Sequence, residues 1–314
     1  MYRQLLRESK PSTQLLFTAL VLLICGIVAM VLSISLGWLI YGVNLTQMEG
    51  MMQDLTNFHN ISVLKFFQTI QSIGIFIIPP FIIAWFLHDH PSVYLQYDKA
   101  PDFKSVLFVI AIIYFANPLI NWLNEVNAKL SLPEWMNSIE IWMQTSESQA
   151  NRVTEAFLTT TSPLTLITNL LMIAILPAIG EELLFRGIVQ KLFKLKYGNA
   201  HVAIWISAAL FSALHLQFFG FLPRLVLGVM FGYMLEWSGT LWLPMIAHFV
   251  NNATAVIAYY LMQRGFIGDG VEKTGTSSDG SSYMVLVSLI FLFAFFRALY
   301  LRSLKPVPVP GVKN

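Results

Sequence analysis

Long apolar runs dominate the chain and predict helices that cross a membrane. An α-helix rises 1.5 Å per residue, so about 20 apolar residues span a hydrocarbon core roughly 30 Å thick. We therefore expect an all-α fold, a polytopic membrane helix bundle of about eight transmembrane helices. The predicted spans lie near residues 13–41, 66–87, 105–123, 163–196, 199–219, 221–237, 240–262 and 283–301. The span at 221–237 is the weakest, because it is short and contains Pro223 and Arg224.

The composition indicates that the surroundings of this chain are lipid. Charged residues make up 11% of the chain and hydrophobic residues 56%, with a mean hydropathy of +0.65. A soluble domain carries about 25% charged residues, which it needs to cover its surface. The net charge is +2 and no Lys/Arg-rich block occurs, which argues against a nucleic-acid partner. The single cysteine, Cys25, excludes a disulfide within the chain and a cysteine-based metal site.

Basic residues predict the orientation in the membrane. With the N-terminus inside, 13 of the 19 Lys and Arg residues fall in the inner segments, so both termini are expected in the cytoplasm. We divide the chain into N-terminal spans with polar outer segments (1–160), a core that carries the chemistry (161–262), and an outer loop, last span and tail (263–314). The outer segments 42–65 and 124–162 are predicted to form amphipathic helices on the membrane surface.

Ionisable residues within the predicted spans gather in three short segments. They lie at 181–186, 211–215 and 248–252, on three separate spans. Such residues are costly in lipid and therefore indicate a functional site. Glu181 and His215 lie 17 residues before and after Gly198, the expected turn, and are thus about 25 Å from it on the same level. The lysines near Gly198 indicate that this hairpin projects into the cytoplasm. His248 follows the next inner turn by about nine residues, roughly 14 Å, so we expect one site in the cytoplasmic half of the membrane.

The spacing within these segments assigns the side chains to helix faces. Glu182 and Arg186 are four residues apart and are expected to pair, a structural role. Glu181 points about 100° away from Glu182, towards a cavity. His248 and Asn252, again four apart, project from one face.

Two prolines lie at the same distance in sequence before two of the ionisable residues. Pro177 lies four residues before Glu181, and Pro244 lies four residues before His248. Each proline lacks an N–H and displaces the carbonyl four residues before it, which loosens the helix. Loosened backbone is tolerated at membrane depth where protein or water satisfies it, which predicts a wet cavity.

This set of groups favours hydrolysis. A carboxylate and an imidazole can activate water, and a second imidazole and an amide can donate hydrogen bonds to an oxyanion. Alternatively, Glu181, His215 and His248 could hold Zn²⁺, because two histidines and a glutamate are a ligand set of metallopeptidases. No H-E-x-x-H or G-x-S-x-G motif occurs and the sole cysteine lies in an apolar run, so serine and cysteine peptidase chemistry has little support.

Three motifs in this order resemble those of the CAAX-protease and bacteriocin-processing family (CPBP, or Abi) of intramembrane peptidases. The family pattern is E-E-x-x-x-R, F-x-x-x-H and H-x-x-x-N. In this chain it reads Glu181-Glu182-Leu183-Leu184-Phe185-Arg186, Phe211 to His215, and His248 to Asn252. The resemblance covers roughly residues 163–260 and implies a helical peptidase embedded in the membrane.

The resemblance also implies residue roles. Glu181 would activate water together with His215, His248 and Asn252 would hold the oxyanion, and Glu182 and Arg186 would support the site. The implied substrate is a peptide or membrane protein, with or without a lipid, in a bacterial cytoplasmic membrane. The alternative is a non-catalytic scaffold or bacteriocin self-immunity protein that keeps the same motifs.

Overall fold

The computed structural model describes residues 6–268, 274–277 and 280–304, without the side chain of Leu45. Within these ranges the chain is helical and forms no β-strand, which confirms the all-α prediction. The expected outer loop 265–282 lies only partly in the described ranges, and the tail from Lys305 lies outside them.

The helices follow one another with short connections. They are α1 (Pro11–Tyr41), α2 (Met48–Gln53), α3 (Phe58–Leu87), α4 (Phe103–Ala128), α5 (Asn137–Leu158), α6 (Pro163–Tyr197), α7 (Ala200–Ala213), α8 (Phe221–Ser238), α9 (Trp242–Gln263) and α10 (Tyr283–Ser303). Single helical turns occur in the connections at Leu45–Gln47, Pro91–Tyr94, Glu134–Met136 and Phe218–Gly220.

Within the described residues, six helices are long and apolar enough to cross a membrane: α1, α3, α4, α6, α8 with its preceding turn, and α10. Helix α8 is long enough to cross a membrane in spite of Pro223. That proline lies in the first turn of the helix, where a backbone N–H has no helical partner, so its missing N–H breaks no helical hydrogen bond. Helix α9 has 22 residues, about 33 Å, but its polar residues lower its hydropathy. These seven helices overlap seven of the eight predicted spans.

The predicted span at 199–219 is wrong in length. Helix α7 contains 14 residues, about 21 Å, and ends at Ala213. The chain leaves the helix because Leu216 adopts a left-handed conformation with φ 53°, which an α-helix cannot continue. His215 therefore lies in the turn that follows α7, not within a helix as the sequence indicated.

Two apolar cores place α6, α8 and α9 at the centre of the bundle. One core joins α4, α8, α9 and α10 through buried residues that include Ile112, Phe231, Leu243 and Leu292. The other joins α1 and α3 to α6 and to the start of α9. Helices α6 and α9, which carry the first and third motifs, thus pack against the other spans through these cores.

Helix α6 contains two stretches of wider π-helix, at Leu170–Ile175 and Phe185–Gln190. The first lies directly before Pro177, which has no N–H to donate to the carbonyl four residues back. This confirms the predicted loosening of the helix before Glu181. Pro244 is different, because it is the third residue of α9, where no helical bond is lost. The predicted loosening before His248 is therefore wrong.

The hairpin of α6 and α7 turns as the sequence indicates. Gly198 is left-handed, with φ 65°, and the Asn199 side chain accepts hydrogen bonds from two backbone N–H groups at the start of α7. The connection between α3 and α4 lies at the same end of the bundle, because Lys191 Nζ donates to the Tyr94 carbonyl and Leu241 N donates to that of Gln96.

Helices α2 and α5 lie in the segments predicted to be amphipathic. Helix α5 packs on the turn that follows α7. Its Glu147 accepts a hydrogen bond from Phe219 N at 2.7 Å, and Trp142 contacts the Phe218 ring with centroids 5.3 Å apart. Helix α5 thus covers the turn that carries His215.

Candidate active site

A buried ion pair forms the base of the site. Arg186 and Glu182 lie one turn apart on α6, and their N–O distance is 2.8 Å with both side chains fully buried. The guanidinium carbon of Arg186 lies 4.7 Å from the centroid of the Phe211 ring and 5.3 Å from that of Phe231. A second guanidinium nitrogen donates to the Gly228 carbonyl at 3.0 Å. The predicted pairing of Glu182 and Arg186 is confirmed.

Glu182 also holds the first catalytic candidate, His248. The Nδ1 atom of His248 lies 2.9 Å from Glu182 Oε1, the oxygen that Arg186 also contacts. A carboxylate of an ion pair only accepts, so Nδ1 carries the proton and donates it in this bond. The ring stacks on Phe231 at 5.3 Å. These contacts fix the ring so that Nε2 faces Glu181.

Glu181 faces His248 rather than Arg186. Its Oε2 lies 3.8 Å from His248 Nε2, too far for a hydrogen bond, and its side chain is 12% exposed. This Oε2 is buried and has no hydrogen-bond partner among the described residues. An unsatisfied buried carboxylate oxygen is costly, and such groups in native proteins usually have a functional reason.

His215 approaches from the turn after α7. Its Nδ1 lies 2.7 Å from the Phe211 carbonyl, an acceptor, so this nitrogen is again the donor and Nε2 carries the lone pair. The Phe211 ring makes edge contacts with both His215 and His248, at 4.9 and 6.0 Å. Phe211 thus separates the two imidazoles, which explains why the second motif needs an aromatic residue before its histidine.

Asn252 anchors α9 to the bulge in α6. Its Nδ2 donates to the Ile173 carbonyl at 3.0 Å. Ile173 lies four residues before Pro177, so its carbonyl is the one that the proline leaves without a helical donor. Asn252 supplies the missing donor. The sequence contained this signal, because Pro177 predicts which carbonyl needs a partner.

The structure brings together Glu181, Glu182, Arg186 and His248 in direct contact, with His215 and Asn252 at the edges. Residues that the sequence did not single out complete the site. The Phe231 ring and the Gly228 carbonyl both contact the motif side chains. No spacing rule identifies them, because their contacts depend on how α8 packs against α6.

The residues do not form a closed metal site. In the described ranges, no three His, Cys, Asp or Glu side chains come together as metal ligands. Glu181, His215 and His248 are the nearest candidates, since each presents an atom that is not used in a hydrogen bond within the protein. Their present spacing, however, does not match a three-ligand set.

Residues 163–254 match the family described as type II CAAX prenyl endopeptidase Rce1-like, and this range holds all three motifs. This segment is therefore similar to the Rce1-like family. The chain is also 32% identical over 91 residues to an uncharacterized protein, YpbD, of Bacillus subtilis strain 168. That match covers 28% of this chain and 43% of the relative, so the similarity spans less than half of the relative's length. No solved structure is significantly similar to the chain.

The Rce1-like segment lies on the central helices of an apolar bundle. It extends from the start of α6 into α9 and is surrounded by further long apolar helices. The family resemblance expected from the three motifs is confirmed. The protein is a multi-pass membrane protein, and one segment of it is similar to a family of endopeptidases.

Proposed function

We propose that the protein is an intramembrane endopeptidase that hydrolyses a peptide bond of a membrane-associated peptide or protein. The observation that supports this most is the buried Glu181 Oε2, which has no hydrogen-bond partner among the described residues and lies 3.8 Å from His248 Nε2. A buried carboxylate oxygen without a hydrogen-bond partner can accept a proton from a bound water, as a general base does.

The proposed reaction uses water as the nucleophile. Glu181 and His215 take a proton from the water as its oxygen attacks the carbonyl carbon of the substrate. The oxyanion that forms receives hydrogen bonds from His248, which carries an Nε2–H as imidazolium, and from the second N–H of the Asn252 amide. The retained proton then passes to the leaving amine as the C–N bond breaks, which gives one carboxyl and one amino product.

Glu182 and Arg186 support this reaction without touching the substrate. Both are fully buried, and Glu182 fixes the donor nitrogen of His248. A carboxylate behind an imidazole sets its tautomer and orientation, as in other hydrolytic sites.

The reaction is proposed to proceed without a metal, because the described donor groups do not form a ligand set. Metal analysis of the purified protein beside a His215→Ala variant tests this point. We expect no stoichiometric divalent metal in either protein and no loss of cleavage with a chelator. A stoichiometric metal that the variant lacks would favour the zinc alternative instead.

The experiment that tests the function compares membrane-fraction peptides from cells that make the wild type or Glu181→Gln at equal levels. We expect new peptide termini only with the wild type, and a loss of about 100-fold or more in the variant. Glu155→Gln is the matched control, because Glu155 is exposed on α5. If Glu181→Gln and the wild type give the same peptides while deletion of the protein has a phenotype, the scaffold or immunity alternative is favoured.

A further inference from the structure

Arg224 lies at the level of the catalytic candidates although no motif includes it. Arg186 donates to the Gly228 carbonyl and Gln190 donates to the Gly232 carbonyl, with a separation of 42 residues in both cases. Helices α6 and α8 therefore run side by side in constant register. One turn further, the same register places Arg224 opposite Glu182.

The guanidinium of Arg224 is fixed beneath the turn that carries His215. Its two terminal nitrogens donate to the Gln217 side-chain oxygen at 3.2 Å and to the Gln217 carbonyl at 3.1 Å. A Cβ atom at Gly220 would lie 2.3 Å from one of these nitrogens, so the guanidinium would have to shift if another residue replaced this glycine. The Nε atom is buried and has no hydrogen-bond partner among the described residues.

Among the described residues, the positive charge of Arg224 has no counterion in contact. In the part of the chain that the structure describes, no carboxylate lies within 4.0 Å of it. Glu147 and Glu181 are the acidic groups that interact with it at longer range, and its charge also acts on His215. Glu147 is already engaged with the backbone of Phe219. An arginine at this depth is costly unless an anion compensates it.

We propose that Arg224 binds a carboxylate of the peptide substrate beside the scissile bond and so determines which peptides are cleaved. The inference rests on the proposed function of the same site. Arginine suits this role, because its planar fork binds a carboxylate through two parallel hydrogen bonds and remains charged when partly buried. The backbone carbonyl of Gln217 holds one terminal nitrogen of the fork, and the Nε–H has no hydrogen-bond partner among the described residues.

A purely structural role for Arg224 makes a different prediction. In that case the guanidinium only ties the turn to α8, and its loss lowers the cleavage of all peptides alike. Substrate discrimination, measured as a ratio of rates, separates the two roles.

The test uses synthetic peptides of the sequence identified by the peptide comparison above, in three forms. One ends in a free carboxylate, one in an amide, and one in an amide with a glutamate as its last residue. We expect the wild type to cleave the best carboxylate-bearing form about 10- to 100-fold more efficiently, as kcat/KM, than the plain amide. If the wild type prefers only the peptide with the free C-terminal carboxylate, Arg224 binds the C-terminus of the substrate. If it prefers the glutamate peptide equally, Arg224 binds any carboxylate at this position.

Variants of the chain complete the test. Arg224→Gln should bring this ratio close to one while the plain amide is still cleaved. Arg264→Gln, a change at an exposed arginine of α9's C-terminal end, should keep the ratio. If Arg224→Gln does not fold, Gln217→Ala serves instead. This variant removes one hydrogen bond between the turn and Arg224 but leaves the cation. Cleavage should then be slower, while the ratio of kcat/KM between the carboxylate-bearing peptide and the plain amide should persist.

The outcomes that contradict the proposal are distinct from those that contradict the function. A wild type that cleaves none of the peptides contradicts the proposed function. A wild type without preference for a carboxylate, or an Arg224→Gln variant that keeps the wild-type ratio, overturns the role of Arg224. A ratio lost in Gln217→Ala with folded protein also overturns it, since the cation is still present there.

Discussion

At the scale of single residues, the site depends on one carboxylate oxygen that two neighbours share. Glu182 Oε1 lies 2.8 Å from Arg186 and 2.9 Å from His248. The ion pair is therefore not separate from the chemistry, since the same oxygen balances a buried cation and orients an imidazole. Burial makes this arrangement costly to disrupt, because removal of one partner leaves a buried charge without compensation.

Arg186→Ala is predicted to lower stability before it affects chemistry. The change leaves the buried Glu182 carboxylate without its cation, and the loss of one partner costs about 3–5 kcal/mol in typical buried pairs. It also removes the cation between the Phe211 and Phe231 rings. Unfolding of the detergent-purified protein, followed by circular dichroism, measures the loss. Arg152→Ala on the surface of α5 is the control and should change stability by less than about 0.5 kcal/mol.

An Arg186→Ala variant as stable as the wild type would contradict this prediction.

Spacing alone indicated that Glu182 and Arg186 pair, because residues four apart on a helix are neighbours. Spacing did not reveal that Glu182 also binds His248. That contact depends on the rotation of α9 against α6, which the packing of two helices sets and no local pattern encodes.

At the scale of helices, a proline interrupts the hydrogen bonding of α6, and a residue of another helix supplies the missing donor. Pro177 leaves the Ile173 carbonyl without a helical donor, and a π-helical stretch precedes the proline. Asn252 on α9 donates to this carbonyl. Asn252 of the third motif therefore also stabilises α6, the helix that carries Glu181 of the first motif.

This coupling predicts a non-additive pair of substitutions. Asn252→Ala leaves a buried carbonyl without a donor and should cost about 1–3 kcal/mol. In a Pro177→Ala background, the backbone N–H that the substitution restores can donate to Ile173 instead, so the same Asn252→Ala change should cost clearly less. Denaturation of the four proteins in one detergent gives the interaction free energy as a double-mutant cycle.

Asn251→Ala is the matched control for this cycle. Its amide contacts only the neighbouring Asn252 oxygen among its described hydrogen bonds, so its effect should be the same with either residue at position 177. Equal costs of Asn252→Ala in both backgrounds would show that the Ile173 bond contributes nothing to stability.

The element boundaries show where the sequence was informative. Gly198 and Asn199 predicted the hairpin turn correctly, because a left-handed glycine ends a helix and an asparagine caps the next. The end of α7 was placed too late, since an apolar run continues past Ala213 although Leu216 adopts a left-handed conformation. Leucine carries no local signal for that conformation, so tertiary contacts determine it.

At the scale of the whole molecule, ion pairs gather at one end of the bundle. Arg7 pairs with Asp89 at 3.0 Å and Arg302 with Asp102 at 2.5 Å. These pairs tie both terminal segments to the connection between α3 and α4. From the excess of Lys and Arg we propose that this end faces the cytoplasm. Helix α5 then lies at the opposite end, over the turn that carries His215, so in this topology His215 approaches from the outer side and not from the cytoplasmic half that the sequence indicated.

Cysteine labelling in cells is predicted to show this orientation. In a Cys25→Ser background, a membrane-impermeant maleimide should label Ser148→Cys on α5 in intact cells, because that exposed position faces outward in the proposed topology. Ala100→Cys, also exposed but at the cytoplasmic end, should react only after lysis. The Cys25→Ser parent should remain unlabelled, and lysed cells should label both variants. The opposite pattern would invert the topology. Because α5 packs on the turn after α7, the side on which Ser148→Cys reacts is also the side that faces His215.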